Sequence, residues 1–292
     1  MRLDDLDPSS NVDDLGRGGG GMGGGGFNLL GLLPLLLGRG LGCGTIGIIA
    51  IIGVAFLMFS GGGGLIGGGS QAPTAQQGSA QNNVPCDTAE ELFACRVLKS
   101  TEQVWGQIYA EQGARYTPPR LRFYQDNGKS GCGAAQSAMG PFYCPPDRGV
   151  YLDTGFFREL SQRFGAGGDF AQAYVVAHEV GHHIQNLTGQ AEAVSRAQQT
   201  LPTAQGNAQS VRLELQADCY AGVWAKRSGR MEPGDIEEGL RAAEAIGDDR
   251  LQGNRASPET FTHGTSAQRA YWLKRGYETG DPARCDTFSG TI

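Results

Sequence analysis

Three of the chain's four histidines, His178, His182 and His183, fall within six residues, in the run from Asp169 to Gln185. His178, Glu179 and His182 form H-E-x-x-H. On an α-helix, residues four apart lie about 40° apart around the axis and one turn along it. Two imidazoles so placed aim their nitrogens at one tetrahedral ion, while Glu179 faces a water in an open coordination position. This spacing suits metal-assisted hydrolysis with Glu179 as general base. Gly168 and Asp169 read as a helix start, and Phe170, Ala173, Tyr174, Ala177 and Ile184 give the helix an apolar stripe. The alternative is a chance motif around buried histidines, and the clustering of so scarce a residue argues against it.

Such an ion needs a third protein ligand, with its fourth position open for water. The longer pattern H-E-x-x-H-x-x-G-x-x-H is excluded, because Gln185 and Thr188 stand where glycine and histidine are required. A glutamate on a later helix is the other solution. Ser210 to Trp224 reads as a largely buried helix on Val211, Leu215, Ala217, Ala221 and Trp224, and it contains Glu214-Leu-Gln-Ala-Asp218. One turn separates the two carboxylates. Glu214 then ligates and Asp218 accepts the free N–H of a ligand histidine. A solvated acidic face is the competing reading, but a carboxylate among apolar neighbours needs a partner such as a metal. Glu192 and Glu90 are ligands by residue type only.

H-E-x-x-H followed by E-x-x-x-D is similar to the gluzincin metallopeptidases. The longer text from Gly168 to Gln185, with Glu214 to Trp224, resembles the bacterial membrane-anchored neutral zinc metallopeptidase family. Pro141-Phe-Tyr-Cys144 and Gly149-Val-Tyr-Leu-Asp153 resemble it too, and the likeness runs from the opening Met-Arg-Leu-Asp-Asp to about Phe288. The resemblance implies an α+β, zincin-like domain, mainly helical with a small antiparallel sheet. It also implies one Zn²⁺ per chain on His178, His182 and Glu214, and a peptide or protein substrate. An edge strand beside the metal helix would take the substrate backbone by strand addition, a part for the residues around Ala138, Met139 and Gly140, which otherwise form ordinary sheet. Phe261 to Trp272 resembles the histidine-loop-arginine segment of some membrane gluzincins, with Gly264 where proline is common. His263 then either stabilises the oxyanion formed when water attacks the scissile carbonyl or caps the following helix. Arg269 pairs with Asp218 or with substrate, and His183 points away from the metal as a structural residue.

Residues 1–40 open with Asp4, Asp5, Asp7, Asp13 and Asp14 and continue into a glycine tract, a composition expected to be disordered. Leu41 to Ile66 carries no charge and has a continuously apolar centre, Ile46 to Phe59. Spanning needs about 20 residues, and uncharged Gly and Leu on both sides extend this centre, so 41–66 reads as one transmembrane helix. A cleaved signal peptide fits poorly, since the apolar stretch starts late and no A-x-A site follows. Arg2, Arg17 and Arg39 precede the span, which predicts a single-pass protein of the bacterial inner membrane with a cytoplasmic N-terminus and an extracytoplasmic catalytic domain. Residues 67–85 are a flexible tether and 86–292 one domain. A net charge of −6 without a basic stripe excludes a nucleic-acid footprint.

Of seven cysteines, Cys43 lies in the membrane segment and six lie beyond it. An even number in an exported domain suggests disulfides. Proximity favours Cys86–Cys95 and Cys132–Cys144, leaving Cys219–Cys285. Helices are expected over 88–112, with Asp87 or Thr88 as N-cap, and over 156–164 and 234–246. Strands are expected over 121–124, 136–143 and 150–153. Residues 190–209 read as a mobile flap or a surface connection. The function expected is a metalloendopeptidase. The alternatives are a non-catalytic zinc-stabilised binding or assembly module, whose fourth ligand would be His263 or Cys219, and a hydrolase of non-peptide amides or esters.

Overall fold

The computed structural model describes residues 1–17, 85–136, 140–153, 155–164 and 167–292. The architecture is mainly helical with a small sheet. Strand β1 (Val12–Arg17) is followed by helix α1 (Ala89–Glu111), strands β2 (Arg120–Gln125), β3 (Asn127–Ser130), β4 (Gly133–Gln136), β5 (Phe142–Cys144) and β6 (Gly149–Asp153). Helices α2 (Phe156–Phe164), α3 (Asp169–Leu187), α4 (Gln190–Thr200), α5 (Thr203–Ser228), α6 (Asp235–Ala245), the short α7 (Asp248–Leu251) and α8 (Ser266–Thr279) complete it.

Local chemistry accounts for the boundaries. Thr88 caps α1 in a capping box with Glu91, which satisfies two N–H groups that have no partner inside the helix. Thr265 and Gln268 do the same for α8. Thr265, and not His263, is therefore the cap of that helix. Helix α5 is longer than its apolar core, starting at Thr203 and ending where Gly229 adopts φ +64°. The stretch 190–209 is not a loop: it holds all of α4 and the start of α5, joined at Pro202, and Val194 seats α4 in a buried position. Its Ala- and Gln-rich composition is good helix material.

The larger sheet has the order β1-β2-β6-β5, and it is mixed where an antiparallel sheet was expected. β1 and β6 both run parallel to β2, and only β5 is antiparallel, to β6. Parallel neighbours need a crossover connection. The β3–β4 hairpin lies within the one from β2 to β6. Its residues carry no apolar alternation, so it left no strand signal. The strand expected over 136–143 is divided: β4 ends at Gln136 and β5 starts at Phe142, with Gly140 at φ +70° between them. Ala138 and Met139 lie outside the described residues.

One core cluster takes buried residues from α1, α3, α5, α8 and the sheet. Trp105, Phe170, Trp224 and Leu273 are buried in it; Phe170 stacks on Trp224, and the Trp224 indole donates to Ser100 Oγ at 3.1 Å. Helices α5 and α8 cross at bare backbone: a Cβ on Gly276 would stand 1.9 Å from Cys219 O, and one on Gly222 2.1 Å from Leu273 O. Three disulfides form: Cys86–Cys95 and Cys132–Cys144, the pairs that proximity favoured, and Cys219–Cys285, the pair that remained.

The N-terminal segment corrects an expectation. Residues 1–17 are built into the domain that was expected to begin at Cys86. Val12 pairs with Leu121 and Asp14 with Phe123 in the ladder, and Met1, Leu3, Leu6 and Val12 are buried in the main core. Three of the five acidic residues that suggested disorder have basic partners: Asp13 with Arg120 at 2.7 Å, Asp4 with Arg96 at 3.1 Å, Asp5 with Arg230. The Met1 ammonium lies 2.7 Å from Asp169 at the start of α3, and 3.1 and 3.2 Å from Glu232 and Asp235. Among the described residues no helix is long and apolar enough to cross a membrane, and the segment 41–66 lies outside them.

Burying an aliphatic side chain stabilises by roughly 1.5–3 kcal/mol, so Leu3, Leu6 and Val12 together supply an appreciable part of a domain's ~5–15 kcal/mol. Leu3→Ala in the full chain is expected to cost about 2–4 kcal/mol, read as a lower urea midpoint at constant slope. An unchanged midpoint would mean that this segment does not pack.

Candidate metal centre

α3 and α5 are held close by the absence of a side chain. A Cβ on Gly181, inside the H-E-V-G-H run, would come within 3.0 Å of the Ala217 backbone. That approach brings the α5 residues on either side of Ala217, Glu214 and Asp218, to the histidines of α3. His178 Nε2 lies 3.2 Å from Glu214 Oε2 and His182 Nε2 3.4 Å from Glu214 Oε1. One donor atom from each of the three residues falls within 4.8 Å of the others.

The remaining ring nitrogens are occupied. His178 Nδ1 is 2.8 Å from Asp218 Oδ1 and His182 Nδ1 is 2.9 Å from Gln185 Oε1. Each of these acceptors fixes a proton on Nδ1, so both Nε2 lone pairs face the Glu214 carboxylate. Lone pairs facing a carboxylate repel unless a cation lies between them. Zinc–ligand bonds of ~2.0–2.1 Å place tetrahedral ligands about 3.3–3.4 Å apart, which agrees with the separations found. Two neutral imidazoles and one carboxylate are a donor set suited to zinc. The residues therefore fit the metal.

The electrostatics point the same way. Burial pushes the His178 imidazole pKa down, but Asp218 and Glu214 outweigh it and lift it to about 10, and Glu214 likewise raises His182 against burial. Burial would raise Glu214, yet His182 and His178 hold it well below the usual carboxylate range. The pocket thus stabilises positive charge at the histidines and negative charge at Glu214. Glu179 differs: burial raises its carboxyl, opposed by His182 and His178. A carboxyl shifted upward is better suited to take up and return a proton near neutral pH.

Asp218 is fully buried and has three partners. Its carboxylate accepts from His178, from Tyr174 Oη at 2.6 Å, and from Arg269 Nε and Nη2, each at 2.9 Å. Arg269 is thus the partner of Asp218. Burial would raise Asp218, but Arg269 and His178 outweigh it and keep it ionised. Gln185 ties His182 to α5, donating to Leu213 O at 2.6 Å. His183 points elsewhere, with Nε2 2.7 Å from Thr117 O and Nδ1 2.9 Å from Tyr143 Oη. Burial lowers its pKa to about 4.

His263 is oriented by Asp248. One Asp248 oxygen accepts from the backbone N–H groups of Thr262, His263 and Gly264 at 2.7, 2.6 and 3.0 Å. The other lies 3.2 Å from His263 Nδ1. His263 is buried and close enough for its charge to lower Glu214, yet it is not among the three converging groups. Cys219 is held in its disulfide. Neither of the fourth ligands that a closed site would need joins the triad. A second cluster, Asp169, Asp235 and Glu238, also has metal-compatible geometry among the described residues, but the Met1 ammonium already engages Asp169 and Asp235.

Tyr174, Gln185 and Asp248 were not legible as site residues. Tyr174 precedes His178 by one turn and Gln185 follows His182 by three residues, so helical spacing was the available signal for both. Asp248 offered none.

The site defines a class: a H-E-x-x-H helix crossed by a helix bearing glutamate and aspartate one turn apart, with a donor set for zinc. The sequence profile of the family described as "Putative neutral zinc metallopeptidase" matches residues 1–288, and the chain belongs to that family. The protein YpfJ of Escherichia coli (strain K12), itself uncharacterized, is 44% identical over 100% of both chains. The uncharacterized protein Mb2605 of Mycobacterium bovis is 47% identical over 69% of this chain and 72% of its own. No solved structure matches the chain.

Removing an acceptor that holds a ligand histidine typically costs 10–100-fold in metal affinity. Asp218→Asn is expected to weaken zinc binding by that amount, measured by competition with a chromophoric chelator. Wild-type affinity in the variant would remove Asp218 from the site.

Proposed function

We propose that the protein is a zinc-dependent metalloendopeptidase held at the bacterial inner membrane by the apolar segment 41–66, with its catalytic domain on the extracytoplasmic side. The observation that carries the peptidase reading is the convergence of His178, His182 and Glu214 beside the buried Glu179, in a chain of this family. The three disulfides support an oxidising compartment.

His178, His182 and Glu214 would hold one Zn²⁺, which when bound supplies Lewis-acid polarisation of the scissile carbonyl and acidifies water. Glu179 takes the proton of the attacking water and returns it to the leaving amine. Asp218 and Gln185 keep the two imidazoles in the tautomer that leaves Nε2 free. His263, held by Asp248, supplies a hydrogen-bond donor to the oxyanion that develops on the carbonyl. β5 is one of the two edges of the sheet among the described residues, β1 being the other, and has β6 as its ladder partner. It lies against α3 through Tyr143, whose hydroxyl bonds to His183 and accepts from Asn186 at 2.9 Å. This edge suits an extended peptide added by main-chain hydrogen bonds. The role first given to residues 138–140 therefore extends to Phe142–Cys144.

Zinc content and cleavage of a diverse peptide library by the oxidised full chain test this reading. Glu179→Gln should keep one zinc per chain and lose at least about 10²–10⁴-fold in kcat, whereas Glu214→Ala should lose the zinc. Full activity in Glu179→Gln would sink the mechanism. His263→Ala should lower kcat by about 10²–10³ with little change in KM; an unchanged kcat would confine His263 to a structural part.

A further inference from the structure

We infer that residues 1–17 and residues 85–292 stand on one side of the lipid bilayer, which excludes a single net crossing between them. This rests on the membrane reading of 41–66 and is independent of hydrolysis.

The constraint is steric. Paired strands lie about 4.8 Å apart, whereas a hydrocarbon core is ~30 Å thick. β1 forms a parallel ladder with β2 from Val12↔Leu121 to Arg17↔Gln125. A single crossing between residues 17 and 85 would put these two strands on opposite sides of the membrane. The single-pass arrangement with a cytoplasmic N-terminus is incompatible with this ladder.

The ladder is one of several independent ties. Asp13 binds Arg120 and lies 3.4 Å from Arg122 in β2. Ser9 Oγ and Asn11 Nδ2 both donate to Glu102 on α1, at 2.6 and 2.7 Å. Arg2 N donates to Arg230 O at 3.0 Å beyond α5. Leu3 and Leu6 are buried in the core that also contains Trp224. A loosely added strand would touch only the sheet edge; this segment is bound to the sheet, α1 and the end of α5.

The sequence between the two segments is almost without charge. Arg39 is the only charged residue between Arg17 and Asp87, and it divides the uncharged Gly18 to Gly38 from the uncharged Gly40 to Cys86. The disulfides favour the oxidising side for the domain, and with it for the N-terminal segment.

The test uses the full chain in bacterial membranes, with Cys43→Ser to remove the cysteine outside the three disulfides and either Asp4→Cys or Glu278→Cys as reporter. Both reporter positions are exposed, at 101% and 60% of the side chain. Intact spheroplasts and permeabilised ones are treated with a membrane-impermeant maleimide. Both reporters are expected to react fully in intact spheroplasts, in a chain that stays with the membranes after a high-salt wash. One reporter reacting only after permeabilisation would overturn the inference. Both reacting only after permeabilisation would keep the one-sided arrangement and overturn the side assigned. A chain found in the soluble fraction would overturn the bilayer contact. Adding Glu179→Gln should leave the labelling unchanged, so failure of the peptidase reading is seen separately, in the cleavage assay.

Discussion

A carboxylate with no access to water must be given its hydrogen bonds and its counter-charge by the protein, and Asp218 is such a group. One oxygen receives His178, Tyr174 and Arg269, and the other receives Arg269 again. The donors come from α3 and α8, while Asp218 belongs to α5. Three helices are therefore tied at one point by bonds whose loss would leave a buried charge without a partner, a cost of several kcal/mol. Arg269 matters as much as the acid, because without it His178 would be the sole cation against Asp218. With it, Asp218 stays ionised, and the Arg269 charge opposes the rise of the His178 pKa.

Such short bonds between helices require the backbones to be near, and small residues supply the nearness. Gly181 admits Ala217, and Gly222 and Gly276 let α5 and α8 touch without side chains. A contact made by backbone has no rotamers, so it fixes how near α5 and α8 come to each other where Arg269 reaches Asp218. The Cys219–Cys285 disulfide then joins the residue after Asp218 to the C-terminal segment, and Gln216 Nε2 donates to Cys285 O nearby. The polar centre is thus surrounded by close packing.

The parts that read clearly from sequence were those whose chemistry is local in the chain. H-E-x-x-H and E-x-x-x-D each occupy little more than one helical turn, and an apolar stripe placed both on helices. The capping box at Thr88 and the near-neighbour cysteine pairs were local as well. Asp248 was invisible because its role comes from a tertiary meeting of two segments, its carboxylate binding the backbone of 262–264. The hairpin β3–β4 lacks apolar alternation, and β1 was hidden by composition: Val12-Asp-Asp-Leu-Gly-Arg looks like solvated chain until Arg120 and Arg122 stand beside Asp13. Charge runs suggest disorder only when their counter-charges are not elsewhere in the same fold.

The place of β1 also bears on the order in which the molecule assembles. Asp13 and Arg120 are 107 positions apart, and Met1 and Asp169 are 168. Contacts of such sequence separation form slowly, because loop-closure entropy must be overcome before they contribute. During synthesis the first strand emerges long before its ladder partner exists. The segment made first is among the last to be seated, and until then β2 keeps an open edge and the start of α3 lacks the ammonium that meets Asp169. Completion of the sheet is a late event.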